Sequence, residues 1–171
     1  MATNLATTVG IELLANFRDL GIDLSTPSDR LSYSFADALT DGDGDDEADI
    51  VWHDQRTLLS TSESLELAAA AEGDRLVGGF GNKIVFAKIK GLLIENLETT
   101  AGYDLAIGGA GADAWETWVA AAGDIVVIGP QGVLLLWAPG AAYVVAADEL
   151  LKIDAGANDV NYKIILIGVS A

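Results

Sequence analysis

Ile125-Val-Val-Ile-Gly-Pro-Gln-Gly-Val-Leu-Leu-Leu-Trp-Ala-Pro-Gly-Ala-Ala-Tyr-Val-Val-Ala-Ala147 carries no charged residue, and its reading decides the fold. Hydropathy alone would take it for a membrane span. Gly129, Pro130, Gly132, Pro139 and Gly140 break it, however, into pieces far shorter than a spanning helix. Those pieces are rich in Val, Leu, Trp and Tyr, the residues that suit a pleated, buried surface. The stretch therefore reads as consecutive short strands joined by tight turns.

The same pattern continues on both sides. Strands are expected at Arg56–Ser60, Ser64–Ala69, Lys83–Leu97, Leu105–Gly108, Ile125–Ile128, Val133–Ala138, Tyr143–Ala147, Leu150–Ile153 and Val160–Gly168. Turn signals separate them: Gly78-Gly79, Gly81-Asn82, Gly108-Gly109, Gly129-Pro130, Pro139-Gly140 and Gly156. No long helical period interrupts the series. Many short strands at regular spacing give a sandwich or barrel, not alternating β-α units. In the last strand Asn161 and Lys163 alternate with Tyr162 and Ile164. Beyond Ile164 it turns apolar on both faces, which implies cover from the core on one side and from something else on the other.

The N-terminal part divides into two segments. Residues 1–27 form an arm in which Leu13, Phe17 and Leu20 make one helical stripe ended by Gly21, so a short helix is expected there. It could pack on its own domain or reach a neighbouring subunit; the sequence leaves both open. Residues 28–54 hold a strand, with Leu31, Tyr33 and Phe35 alternating with small residues, and then an acidic loop from Asp41 to Asp49. The sandwich proper is expected over residues 55–171.

Composition narrows the function. The 171 residues are enough to bury a core without disulfides, and there is no cysteine to form one or to act as a nucleophile. With 9 Lys and Arg against 26 Asp and Glu, the formal charge is -17, and nucleic acid and anionic membrane surfaces are poor partners. Met1 to Gly10 shows no secretory pattern.

Each candidate site has a competing structural reading. Asp41, Asp43 and Asp45 open like a calcium loop, with Asp49 nearby. Asp46 then stands where that loop needs Gly, and Trp52 where it needs a bidentate Glu. A solvated acidic turn is the favoured reading. His53, the only histidine, is followed by Asp54, yet neighbours on a strand point to opposite faces, so they do not form a base with its orienting carboxylate. Arg56 is expected to pair Asp54 or the acidic loop. Gly78-Gly-Phe-Gly81 and Gly108-Gly-Ala-Gly111 lack the frames of phosphate loops and read as turns. Trp115 and Trp118 could anchor an interface, pack in the core, or stack on sugars.

Several of these segments resemble tailed-bacteriophage virion proteins. They are Ile50-Val-Trp-His-Asp-Gln-Arg-Thr-Leu58, Leu65-Glu-Leu-Ala68, Ile84-Val-Phe-Ala-Lys-Ile-Lys-Gly-Leu-Leu-Ile94, Ile107-Gly-Gly-Ala110, the Gly132–Pro139 segment and the closing Tyr162–Gly168. The resemblance is nearest to small capsid decoration (cement) proteins and covers residues 31–168. Two places depart from the family pattern: Gly129-Pro130-Gln131-Gly132 stands for a simpler Pro-Gly-Gly turn, and the acidic loop for a Gly/Thr/Asn-rich one. The resemblance implies an all-β, jelly-roll-like antiparallel sandwich with an N-terminal arm or short helix, and no catalytic residue or cofactor. It also implies a homotrimer bound to the phage major capsid protein on the outer capsid surface, made in the host cytoplasm. On this reading Leu13, Phe17, Leu20, Trp115 and Trp118 are interface residues. The alternatives are a tail or head-to-tail component and, from another class, a carbohydrate-binding module using Trp115 and Trp118.

Overall fold

The computed structural model describes residues 4–18, 28–69, 71, 73 and 75–171. It is all-β. Among the described residues fourteen strands run in chain order: β1 Thr7–Arg18, β2 Ser28–Asp41, β3 Glu47–Ala48, β4 Ile50–Leu59, β5 Ser62–Glu66, β6 Leu76–Val77, β7 Lys83–Ile84, β8 Phe86–Asn96, β9 Leu105–Gly108, β10 Ile125–Ile128, β11 Val133–Trp137, β12 Tyr143–Val144, β13 Leu150–Asp154 and β14 Asp159–Ser170.

Two antiparallel sheets form the body. The first has the order β11-β8-β14-β4, with β12 also pairing β8, and the second the order β10-β9-β13-β5. Apart from β9 and β10, which pair directly, the neighbours in each sheet are distant in the chain, so the order is built mainly by non-local pairing. One apolar cluster joins the sheets, containing Trp52 and Leu58 of β4, Leu92 and Ile94 of β8, and Tyr162, Ile164 and Leu166 of β14. Leu65 of β5, Ile107 of β9 and Ile153 of β13 meet them from the second sheet. Alternation explains the assignment. On β14 the residues Val160, Tyr162, Ile164 and Leu166 are buried, while Asn161 and Lys163 are exposed. The uncharged Ile125–Ala147 stretch is β10, β11 and β12 with their turns, as its glycines and prolines imply. Among the described residues no helix is long and apolar enough to cross a membrane.

The arm differs from expectation. Residues 7–18 are a strand, not a helix, and they pair with β2 over twelve positions, from Thr7 opposite Leu39 to Arg18 opposite Ser28. Leu13 and Phe17 share a face in a helix at i, i+4, and equally in a strand with Ile11 and Ala15 between and before them. Pairing with Leu31, Tyr33 and Phe35 selects the strand. Leu20, the third member of the expected stripe, lies outside the described residues. The result is a two-stranded ribbon, roughly 40 Å long at about 3.3 Å per residue. Its second strand is Ser28–Asp41. Its base joins the body: β3 pairs β2 in parallel, Leu39 is buried, and Leu5 N donates to Asp41 Oδ1 at 2.9 Å.

A β-bulge shapes the first sheet. Gly91 lies opposite Ile167 and Ile89 opposite Gly168, which leaves Lys90 unpaired between them. A Cβ on Gly168 would stand 2.1 Å from Lys88 O, so only glycine fits there. The bulge turns Lys90 into the protein, and it is 1% exposed.

Candidate functional site

Three places concentrate chemistry. The first is an open cleft of about 460 Å³ between β4 and β5, where the edges of the two sheets meet. Arg56 and Tyr162 are directly opposite on β4 and β14, so both point inward. Arg56 Nε donates to Asp54 Oδ2 at 3.0 Å, and its Nη1 donates to Glu63 on β5. Tyr162 Oη donates to Glu63 Oε1 at 2.5 Å. The guanidinium also stacks over Trp52, 5.5 Å from the ring centroid. Burial pushes the Tyr162 phenol far above its ordinary value, and neighbouring Glu63 adds to the shift. For Arg56 burial works against the charge, but Glu63 outweighs it and holds the guanidinium above its ordinary value. The group is a self-satisfied network that clips the two sheets together at their open edge. The expected Arg56–Asp54 pair is present; the link to Glu63 was not legible, since residues 56 and 63 meet only through strand pairing. His53 faces the other way, exposed on the outer side of β4 and opposite Ile165.

The second place is that outer side. Across the first sheet, Trp137, Gly91, Ile167 and Val51 form one row, and Leu135, Leu93, Ile165 and His53 the next. The following row, Val133, Glu95, Lys163 and Gln55, closes the patch with an ion pair, Lys163 Nζ to Glu95 Oε2 at 3.2 Å. The Trp137 ring lies over Gly91, where an added Cβ would come within 3.0 Å of it. The outer side of the second sheet is different in kind. Ser62, Ser64 and Glu66 of β5 and an ion pair between Lys152 and Asp154 at 3.0 Å occupy it, with Ile125 and Val127 only at its β10 edge. The apolar doubling beyond Ile164, read as cover from a second side, maps onto the first of these faces.

The third place is the ribbon. Ile11, Leu13, Ala15 and Phe17 of β1 share a face with Leu31, Tyr33 and Phe35 of β2. Glu12, Asn16, Arg30, Ser32 and Ser34 are on the reverse, with Leu14 among them. The apolar face is largely uncovered, and Phe17 is 75% exposed. At its base the same face meets the body, where Trp137 Nε1 donates to Asp37 Oδ2 at 2.8 Å.

The remaining candidates resolve as packing. Trp115 is 2% exposed and donates from Nε1 to Val144 O at 2.9 Å, so it is a core residue and not an outward anchor or sugar platform. Trp118 is half-buried and donates to Trp115 O at 3.0 Å. In the acidic loop the carboxylates do not converge. Asp41 accepts from Leu5 N, Asp49 accepts from Ser170 N at 2.7 Å and from the Ser170 hydroxyl, and Asp43 and Asp45 are exposed. Among the described residues no three His, Cys, Asp or Glu side chains are placed to hold a metal. Asp46 N donates to Pro139 O instead, tying the loop to the turn after β11. The glycine pairs are turns, as their spacing implies: Gly108 has φ +104, and a Cβ there would stand 2.6 Å from Asp124 O.

The architecture defines an all-β protein of two antiparallel sheets with a projecting ribbon and one apolar outer face. Comparison with family models, with curated proteins and with solved structures found no match.

Proposed function

We propose that this chain is a non-catalytic structural subunit of a phage virion. It decorates the outer capsid surface as a homotrimer and bridges neighbouring major capsid protein subunits. The observation that carries the reading is the pairing of an apolar ribbon with an apolar outer sheet face on a strongly acidic chain. Soluble monomers rarely expose surfaces of that kind, which mark protein-protein contacts. The resemblance of the Trp52-His-Asp-Gln-Arg-Thr-Leu58 and Phe86-Ala-Lys-Ile-Lys90 segments to virion proteins gives the place.

The strand order supports the jelly-roll reading. With β4, β5, β8, β9, β10, β11, β13 and β14 taken as eight successive strands, the sheets run first-eighth-third-sixth and second-seventh-fourth-fifth. That order matches the one expected of the double Greek key of jelly rolls, an architecture used by viral capsid proteins and by lectins. The lectin alternative loses its supposed platform, because Trp115 is inside the core. Repeated weak contacts at capsomer seams would add through avidity, and the acidic surplus would keep the subunit soluble or meet basic coat-protein patches.

The test is rebinding of purified chain to capsids stripped of decoration, followed by imaging. Saturable density at fixed lattice positions is expected. Density confined to the tail or the head-to-tail junction would move the protein to another virion role, and no binding to either would refute the reading.

A further inference from the structure

We propose that the ribbon of one copy docks by its apolar face on the outer face of the β11-β8-β14-β4 sheet of a second copy. The contact is heterologous, and successive copies exchange arms around a closed ring. This rests on the reading of the chain as an assembly subunit.

Three observations select a second copy as occupant. The first is area. Ile11, Leu13, Leu31 and Tyr33 are 42 to 54% exposed and Phe17 75%. Together these five leave on the order of 500 Å² of apolar surface in water, most of the ~800 Å² that each partner gives to a standard interface. An isolated two-stranded ribbon is at best marginally stable in water. The second is continuity. Two residues along β2 from Phe35, Asp37 on the same ribbon face is bonded to Trp137 on the outer sheet face. The base of the ribbon thus shows which surface its apolar face fits. Beyond Asp37 the ribbon leaves its own sheet, and Leu93, Ile165 and Ile167 stay partly open for the ribbon of another copy. The third is charge. Two chains of -17 repel each other, so any self-contact must avoid carboxylates. Over residues 11–15 and the paired residues 31–35 the ribbon's one charge, Glu12, points to the reverse face, and Asp29 enters the apolar face only farther along, opposite Phe17; the two apolar rows of the sheet carry no carboxylate.

The geometry makes a complementation test decisive. Leu13→Glu disables the arm and leaves the receiving face; Ile165→Glu disables the face and leaves the arm. Both positions are outside the core, and near-UV circular dichroism verifies folding. Sedimentation velocity on the full chain should show concentration-dependent oligomers, and each variant alone should associate roughly tenfold or more weakly. Mixed together, the two variants should form a one-to-one dimer that grows no further, because only one of its two interfaces is intact. Oligomers of Ile165→Glu that persist while Leu13→Glu is monomeric would mean that ribbon packs on ribbon, and would overturn the proposal. So would a wild-type chain that stays at 17.7 kDa at every concentration. The two readings fail separately. Monomeric chain that still decorates stripped capsids refutes arm exchange alone; arm-exchanged rings that bind no virion refute the virion role alone.

Discussion

Lys90 Nζ lies 2.6 Å from the carbonyl oxygen of Pro139, with Gly44 O at 2.7 Å and Gly140 O at 3.3 Å. One buried ammonium thus holds the acidic loop, the turn after β11 and the β8 bulge together. Its three donors meet three backbone carbonyls, of which Pro139 O also accepts from Asp46 N. Lys90→Met keeps most of the apolar stem and removes the donors. We expect a loss of about 2 kcal/mol, because part-buried carbonyls lose a charged donor, and a fall in Tm of roughly 4–8 °C for a chain of this size. Lys90→Arg should not restore stability, since the planar fork does not fit a site shaped for three convergent donors. A thermal melt of Lys90→Met that matches wild type would show that the lysine is incidental to the loop.

A second buried polar side chain makes a sharper chemical test. Asn96 Nδ2 donates to Tyr103 O at 2.8 Å and Ile128 O at 3.1 Å, while Oδ1 accepts from Glu98 N at 3.0 Å. Asn96→Asp is nearly isosteric but replaces a donor with an anionic oxygen facing two carbonyls. At neutral pH the variant should lose about 3 kcal/mol. Protonating the new carboxyl restores one donor, so the gap between variant and wild type should narrow on acidification. Urea midpoints at pH 7 and pH 5 check this; a gap that stays constant or widens toward acid counts against the assignment of the amide.

Tyr162 governs the alkaline limit. Its phenol is shifted upward in the folded state from the ordinary value of 10.0, chiefly by burial and then by Glu63. In the unfolded chain it ionises at the ordinary value, so the neutral phenol's contribution is complete below pH about 10. It is lost as the pH rises beyond that, at up to ~1.4 kcal/mol per pH unit. Tyr162→Phe removes this dependence and costs about 1 kcal/mol at neutral pH for the lost bond to Glu63. Denaturation midpoints from pH 9 to 11 should therefore fall more steeply for wild type than for the variant. Parallel slopes would place the phenol in contact with water.

The sequence carried the body better than the arm, for a physical reason. Leu105–Gly108 and Ile125–Ile128 match their strands end to end because glycine and proline turns bound them locally. The ribbon was misread because Leu13 and Phe17 satisfy both a 3.6 and a 2 residue period, and only the non-local partners Tyr33 and Leu31 choose between them. Lys90 was hidden for a related reason. In Phe86-Ala-Lys-Ile-Lys90 alternation puts both lysines on one face, and the bulge that separates them is set by Gly168 on another strand. Of the surfaces, the outer sheet face was legible as the apolar doubling at Ile164–Ile167, whereas the Glu63–Tyr162 link needed the strand order.

The seat of the ribbon offers the last prediction. Trp137 Nε1 donates to Asp37 Oδ2, and Asp37 Oδ1 accepts from Ala38 N at 2.9 Å, so one carboxylate fixes both the indole and its own strand. The bond is half-buried, and a charged acceptor there contributes on the order of 1–2 kcal/mol. That energy acts locally, because Trp137 lies outside the core that joins the two sheets. Asp37→Ala should therefore loosen the ribbon without unfolding the body. Amide exchange should speed up along β1 and β2 while the β8–β14 amides keep their protection. Asp37→Asn, which can keep an acceptor for the indole, should stay near wild type. Equal loss of protection in β8 and β14 would mean that the ribbon belongs to the cooperative unit of the sandwich, and that the Trp137–Asp37 bond is more than a hinge between them.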